Sequence, residues 1–155
     1  MADVIVRPVE SAAELMLAFD IAGSVFTPPF DHHDRRFERV AVAWSADREL
    51  MHVAEHGGAI VGAGLGIRVS LDGVLLAMLA VLPEHRGGTG RRLVEAVEEA
   101  ACRLGVTGIV LGAVEESRPF YRRLGYAGRS RMGKSMTGLA LAMAILRPGR
   151  RSSTR

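Results

Sequence analysis

The residues best suited to chemistry cluster in L-A-V-L-P-E-H-R-G-G-T-G-R-R-L, Leu79 to Leu93. An apolar run ends at Pro83, a glycine-rich turn comes next, and a pattern of helical period begins at once. Successive glycines let backbone N–H groups converge on one point, and a helix N-terminus adds partial positive charge. Together they suit an anion, a pyrophosphate best. Arg86, Arg91 and Arg92 add guanidinium counter-charge. The same residues also suit a tight strand-to-helix turn edged by surface arginines, and the glycines alone do not separate the two.

A second phosphate-type pattern, G-R-S-R-M-G-K-S from Gly128 to Ser135, matches G-x-x-x-x-G-K-[ST]. A working loop of that kind lies between a hydrophobic strand and a helix, whereas here F-Y-R-R-L-G-Y precedes it and Gly138 interrupts the residues after it. Nucleotide binding is therefore the weaker expectation, and Lys134 is expected on an exposed strand near substrate or cofactor. Cys102 is the single cysteine, so neither an internal disulfide nor a CxxC metal site is available, and it is expected to be inert.

The elements that must position these residues can be read from periodicity. Val4 to Val6 reads as a strand, and Ser11 with Glu14 forms an S-x-x-E capping box ahead of a helix ending near Gly23. Thr27 to Phe30 breaks the chain, after which Asp31 or Asp34 can cap a second helix with Phe37, Val40, Ala41 and Trp44 on one face. Leu50 to Glu55 and Ala59 to Val69 flank His56, Gly57 and Gly58 as a hairpin, and Asp72–Gly73 turns the chain into a third strand, Val74 to Leu82. Gly62, Gly64 and Gly66 fall on one face of the middle strand, bare either for close packing or for a ligand.

Gly90 to Leu104 is an amphipathic helix, with Leu93, Val97, Ala100, Ala101 and Leu104 forming its apolar stripe. Val106 to Val114 reads as a strand and Ser117 to Leu124 as a short helix, with Pro119 in its first turn and Gly125 as its C-terminal cap. Tyr126 to Met136 and Leu139 to Leu146 are expected to form a final pair of strands.

At 155 residues the chain has the length of one domain. Its longest apolar runs, Val74 to Leu82 and Leu139 to Leu146, are well short of the ~18–20 residues of a membrane span. The N-terminus lacks a secretory pattern, so a cytoplasmic location is expected, with no membrane partner. The sequence pI is about 9.7, but without Arg147, Arg150, Arg151 and Arg155 the formal charge falls from +3 to −1. A near-neutral body with a short basic tail over 147–155 gives no footing for nucleic acid.

The first segment and E-E-S-R-P-F-Y-R-R-L-G-Y, Glu115 to Tyr126, together resemble the GNAT superfamily of acetyl-CoA-dependent N-acetyltransferases. V-L-P-E-H-R-G-G-T-G-R-R-L is similar to the family's V-x-P-x-x-R-G-x-G-x-G-x-x-L loop, and P-F-Y-R-R-L-G-Y to its F-Y-x-x-x-G-[FY] element. The resemblance implies a mixed α/β (α+β) fold over residues 1–146, forming a single acyl-CoA N-acyltransferase domain. Its central sheet would be mostly antiparallel, with about seven strands flanked by about four helices. There are two departures: Gly87 and Gly88 are adjacent, which makes the loop one residue shorter, and Ser117 stands where the family often has Ala.

The resemblance further implies acetyl-CoA as cosubstrate and an amine on a small molecule or peptide as acceptor, by direct attack in a ternary complex without a metal. Backbone groups of Leu79, Ala80, Val81 and Leu82 would hold the pantetheine arm and polarise the thioester carbonyl. Arg86, Gly87, Gly88, Thr89, Gly90 and Arg91, with Ser117, would complete the cofactor site. Tyr121 matches the tyrosine that donates a proton or hydrogen bond to the departing sulfur. A phenol near 10 is protonated at neutral pH, and a thiol near ~8.5 leaves full transfer mildly uphill; packing its helix under the sheet is the other role open to Tyr121.

No ionisable residue lies in Val74 to Leu82, so the general base is sought among Asp31, His32, His33, Asp34, Glu55 and His56. His32 and His33, as neighbours, are expected to diverge and bind no metal. The acceptor is expected between the loop after the first helix and the glycine-bearing hairpin. Homodimers are common among such proteins. A non-catalytic acyl-CoA sensor would use the same loop.

Overall fold

The computed structural model describes residues 3–136. Seven strands form one sheet: β1 (Ile5–Pro8), β2 (Met51–His56), β3 (Ala59–Arg68), β4 (Gly73–Val81), β5 (Gly108–Gly112), β6 (Ala127–Gly128) and β7 (Arg131–Ser135), in the order β1-β2-β3-β4-β5-β7-β6. Every neighbouring pair is antiparallel except β4 and β5. The helices are α1 (Ala12–Gly23), α2 (Arg36–Ala46), α3 (Thr89–Arg103) and α4 (Arg118–Arg123). The expected mixed architecture of seven strands and four helices is thus present among the described residues.

Local sequence sets the boundaries. Ser11 Oγ accepts from the Glu14 amide at 3.1 Å and starts α1, while Arg7 clamps the Glu14 carboxylate at 2.7 and 2.9 Å, tying the helix to β1. Gly125, at φ +94°, lets the Tyr126 amide return to the Tyr121 carbonyl at 3.1 Å and ends α4.

Helices cover both faces of the sheet. On one, Leu15, Phe19, Val40 and Trp44 pack with Met51, Val53, Leu65, Met78 and Ala80, joined by Phe30 and Phe37. On the other, the apolar stripe of α3 packs with Leu50, Val74, Ile109, Tyr121, Tyr126 and Met132.

The glycine face of β3 is closed by α3. A Cβ at Gly64 would sit 3.3 Å from Leu93 Cβ, and one at Gly66 would sit 3.0 Å from Val97 Cγ1. Close packing is therefore why these positions are bare, and the face expected to border the acceptor is occupied by a helix.

The feature that shapes the sheet is the separation of β4 from β5. Their parallel ladder pairs Gly73 to Leu76 with Gly108 to Leu111 and then stops, while β4 continues to Val81. Leu65 opposes Met78 and Gly66 opposes Leu76, leaving Ala77 as an extra residue in β4. Such a bulge bends its strand and raises its twist, which accounts for the divergence there.

The segment Tyr126 to Met136, expected as one strand, is instead the tight hairpin β6–β7. Gly128 takes φ +125° and reverses the chain through Arg129 and Ser130; a Cβ there would collide with the Arg131 carbonyl oxygen. Leu139 to Leu146, expected as the last strand, lies outside the described residues.

His52 on β2 is buried, and its Nδ1 has no partner. Burial, with the nearby Arg103 charge, lowers its pKa from 6.5 to about 4. Unfolded chains therefore take up a proton that the folded chain refuses between those pH values. This share of stability is complete above pH 6.5 and is lost as pH falls towards 4, by about 3 kcal/mol. Denaturant titrations at pH 7.5 and 4.5 should show that loss, and His52→Leu should reduce it.

Candidate active site

The turn expected to hold an anion joins β4 to α3. A single 3-10 turn, Pro83–His85, leads to Arg86, whose Nε approaches the Val81 carbonyl at 3.4 Å. Gly87 and Gly88 come next at φ +111° and +97°. Beyond the adjacent residues of the chain, no atom lies within 4 Å of a Cβ built on either. Their requirement for glycine is thus conformational, and the left-handed pair accommodates the shortened loop. Gly88 is the N-cap of α3, whose first intrahelical bond is Arg92 N to Gly88 O at 3.1 Å. The amides of Thr89, Gly90 and Arg91 precede that bond, and no acidic side chain occupies the first turn.

The side chains around this turn divide in role. Thr89 is buried and its Oγ1 donates to the His85 carbonyl at 2.8 Å, so its hydroxyl is committed to holding the turn together. Arg92 Nη1 donates to the Val4 carbonyl at 2.7 Å, a structural tie that takes it out of the expected counter-charge. Arg91 is exposed and paired with Glu95 at 2.7 Å. Arg86 is exposed beside the turn.

The second motif reaches the same place. A Cβ on Gly90 would lie 3.4 Å from Phe120 Cζ and 3.9 Å from Val81 Cγ2, so α4 is packed against the first turn of α3 at the end of β4. Tyr121 is buried, edge-on to Phe120 at 5.0 Å and to Tyr126 at 5.9 Å. Burial pushes its phenol up to about 12. Ser117 is half-buried in the turn ahead of α4, its amide bonded to the Val114 carbonyl at 3.0 Å. The diverging half of β4 with Leu79 to Val81, the glycine turn, and α4 with Phe120 and Tyr121 thus surround one end of the gap between β4 and β5.

The candidate bases are held very differently. Glu55 pairs with Arg7 at 2.9 Å. Asp34 pairs with Arg36 at 2.9 Å, which holds its carboxyl well below the usual range. His56 lies against His85, ring centres 4.8 Å apart. Asp31 Oδ1 accepts from the His33 amide at 2.9 Å. His32 differs: its Nδ1 is 3.0 Å from both oxygens of Asp20, which leaves Nε2 as the proton-accepting nitrogen. Asp20 and Asp31 border an open hollow of about 500 Å³ with Ser24, Pro29, Phe30 and Asp34. Phe30 packs against Phe19 with ring centres 5.4 Å apart, which joins this loop to the core cluster that also holds Met78 and Ala80 of β4.

Lys134 is not an exposed strand residue. Its Nζ lies 2.9 Å from Glu98 Oε2 and donates to the Leu124 carbonyl at 2.8 Å, and the buried Glu98 also accepts from the Tyr126 hydroxyl at 3.1 Å. Burial, then the Glu98 charge, raises the Tyr126 pKa. The phosphate-loop pattern Gly128 to Ser135 is the β6–β7 hairpin, whose Lys134 is engaged by Glu98, so the nucleotide-binding alternative fails on geometry. Sequence reasoning missed this trio, although Glu98 falls four residues after Val94 and three before Ala101, a carboxylate within an apolar helical face. Cys102 is buried, and burial raises its thiol, in keeping with an inert residue.

No helix among the described residues is long and apolar enough to cross a membrane. Residues 47–127 match the family model of the acetyltransferase (GNAT) domain. No curated protein matches the chain by sequence. Among solved structures, Ard1 from Thermoplasma volcanium superposes with a TM-score of 0.70 at 17% identity, covering 85% of this chain and 97% of its own. PaiA N-acetyltransferase from Thermoplasma acidophilum, in complex with coenzyme A, gives 0.67 at 14% identity, over 86% and 99% of the two chains. Arabidopsis thaliana Naa50, in complex with the bisubstrate analogue CoA-Ac-MVNAL, gives 0.66 at 22%, over 85% and 98%. With more than half its length matched by that family model, on a sheet that divides beside a glycine turn, the chain belongs to the GNAT acetyltransferase family.

Proposed function

We propose that the protein transfers an acetyl group from acetyl-CoA to a primary amine by direct attack in a ternary complex. The observation that carries this reading is the departure of β4 from β5 beyond Leu76, directly ahead of the left-handed Gly87–Gly88 turn. A strand edge without a partner offers backbone donors and acceptors to an extended amide-bearing arm, and the turn offers amides to the pyrophosphate beyond it.

In this reading Leu79 to Leu82 align the pantetheine arm, and an amide on that edge polarises the thioester carbonyl. The amides from Gly87 to Arg91, with the Arg86 and Arg91 guanidiniums, hold the pyrophosphate, and Ser117 borders the arm from the α4 side. Tyr121 donates a hydrogen bond to the sulfur as the C–S bond breaks. With its phenol near 12 and a thiol near 8.5, complete proton transfer is uphill by about 5 kcal/mol, so Tyr121 stabilises the thiolate without giving up its proton. His32, oriented by Asp20, takes a proton from the acceptor's ammonium, directly or through water, so that the neutral amine attacks; the proton that nitrogen sheds as the tetrahedral intermediate collapses passes through water to the departing thiolate. The acceptor occupies the hollow beside Asp20 and Asp31. Attack transfers the acetyl carbon from sulfur to nitrogen and needs no redox partner.

Thermal unfolding with acetyl-CoA, CoA or Mg-ATP added separately tests the assignment. A ligand at a hundredfold excess over its dissociation constant adds ~2.7 kcal/mol, or roughly 5–10 °C for a chain of this size. A rise with acetyl-CoA and CoA, and none with Mg-ATP, is expected. A rise with Mg-ATP alone contradicts the reading. Gly88→Ala, strained at φ +97°, should weaken acetyl-CoA binding about tenfold, measured by calorimetry, and spare kcat at saturation.

A further inference from the structure

The loop between α1 and α2 carries a constellation larger than the single base that the proposed transfer draws from it. Asp31, His32 and His33 each present one donor atom, and these lie within 4.8 Å of one another. The adjacent imidazoles, expected to diverge, instead lie with ring centres 4.2 Å apart and planes inclined by 39°. No regular element separates them here, because the loop backbone is bent by two side-chain contacts. The His32 amide donates to Asp20 Oδ1 at 2.6 Å, and the His33 amide donates to Asp31 Oδ1 at 2.9 Å.

A second observation concerns the orientation of His32. Both Asp20 oxygens face its Nδ1 at 3.0 Å. A carboxylate in that position keeps the proton on Nδ1 and leaves Nε2 as the nitrogen free to bind, an arrangement that also orients histidines in metal sites. Donor atoms around a cation at about 2.0–2.1 Å are about 3 Å apart, so this set must close by less than 2 Å, within reach of rotamer adjustment in a part-exposed loop.

We propose that Asp31, His32 and His33 form a site for one imidazole-preferring divalent cation of the zinc class, with Asp20 orienting His32. Two imidazoles and one carboxylate favour such an ion over calcium or magnesium, which draw on more oxygen ligands. The loop is open to solvent, so water completes the coordination. Occupancy takes up the His32 Nε2 lone pair, which serves the acceptor amine in the proposed transfer. The site itself rests on the loop geometry and stands whether or not His32 acts on the amine.

The test is calorimetric titration of Zn²⁺ into the metal-free, tag-free full chain, without acetyl-CoA or amine. One saturable event per chain is expected. His33→Ala and Asp31→Asn should each weaken it about tenfold or more, and His56→Ala should leave it unchanged. His33 is exposed, and Asn keeps an acceptor for the His33 amide, so both variants should melt with the parent in the absence of metal. Absence of saturable binding overturns the proposal. So does binding that persists in His33→Ala, or that is lost in His56→Ala, which would place the ion at the His56–His85 pair.

Discussion

Tyr121→Phe is expected to lower kcat about a hundredfold, the scale of a positioned proton donor, while the KM for acetyl-CoA changes little. The substitution removes one oxygen and keeps the ring that packs edge-on against Phe120 and Tyr126. A loss of rate without a loss of melting temperature therefore separates hydrogen bonding to sulfur from packing. An unchanged kcat would reduce Tyr121 to an aromatic wedge. A second signature concerns pH. The folded chain keeps the Tyr121 proton up to about 12, whereas the unfolded chain releases it near 10. The resulting stability is complete below pH 10 and is lost as pH rises towards 12, by on the order of 3 kcal/mol. Unfolding between pH 9 and 11.5 should show this decline in the parent and a smaller one in Tyr121→Phe.

Lys134→Met should destabilise the fold by about 3 kcal/mol, or roughly 6–12 °C in melting temperature. The loss comes chiefly from leaving the buried Glu98 carboxylate without its ammonium, with the Tyr126 hydroxyl at 3.1 Å still donating to it. The effect lies at the low end for buried pairs because the lysine side chain is 26% exposed and part of its charge is already solvated. Glu98→Leu combined with Lys134→Met removes both charges and should recover most of the stability. A single variant as stable as the parent would show that Glu98 is neutral or reaches water in the folded chain. This pair joins α3 to β7 beneath Tyr126, the ring against which Tyr121 rests, so its loss should also lower kcat modestly.

Much of this architecture is written in local pattern. The helical stripe from Leu93 to Leu104, the Gly57–Gly58 hairpin and the Ser11–Glu14 cap form where periodicity and turn chemistry place them, because each depends on neighbours a few residues away. The two motif segments meet at Gly90 and Phe120. What the pattern did not carry was partnership across the fold. The glycine face of β3 suits a helix or a ligand equally until α3 is seen to fill it. Lys134 looks solvated until Glu98, on another element, is seen beneath it. The single strand expected over Tyr126 to Met136 fails because Gly128 adopts a left-handed turn, a conformation that an isolated glycine permits without announcing. His32 and His33 converge because Asp20, on α1, holds one backbone amide and Asp31 holds the next.

The most direct test of the transfer reading is to follow free thiol release from acetyl-CoA with and without a panel of primary amines, and to record the intact mass of the protein after incubation with acetyl-CoA alone. Direct attack in a ternary complex predicts thiol release that requires an amine, an acetylated amine formed in equal amount, and a protein whose mass does not change. Stoichiometric thiol release without amine, with one acetyl group left on the chain, would contradict it and require a covalent intermediate. Binding of acetyl-CoA without consumption, whatever amine is supplied, would contradict catalysis itself and leave the site as a sensor of the cofactor.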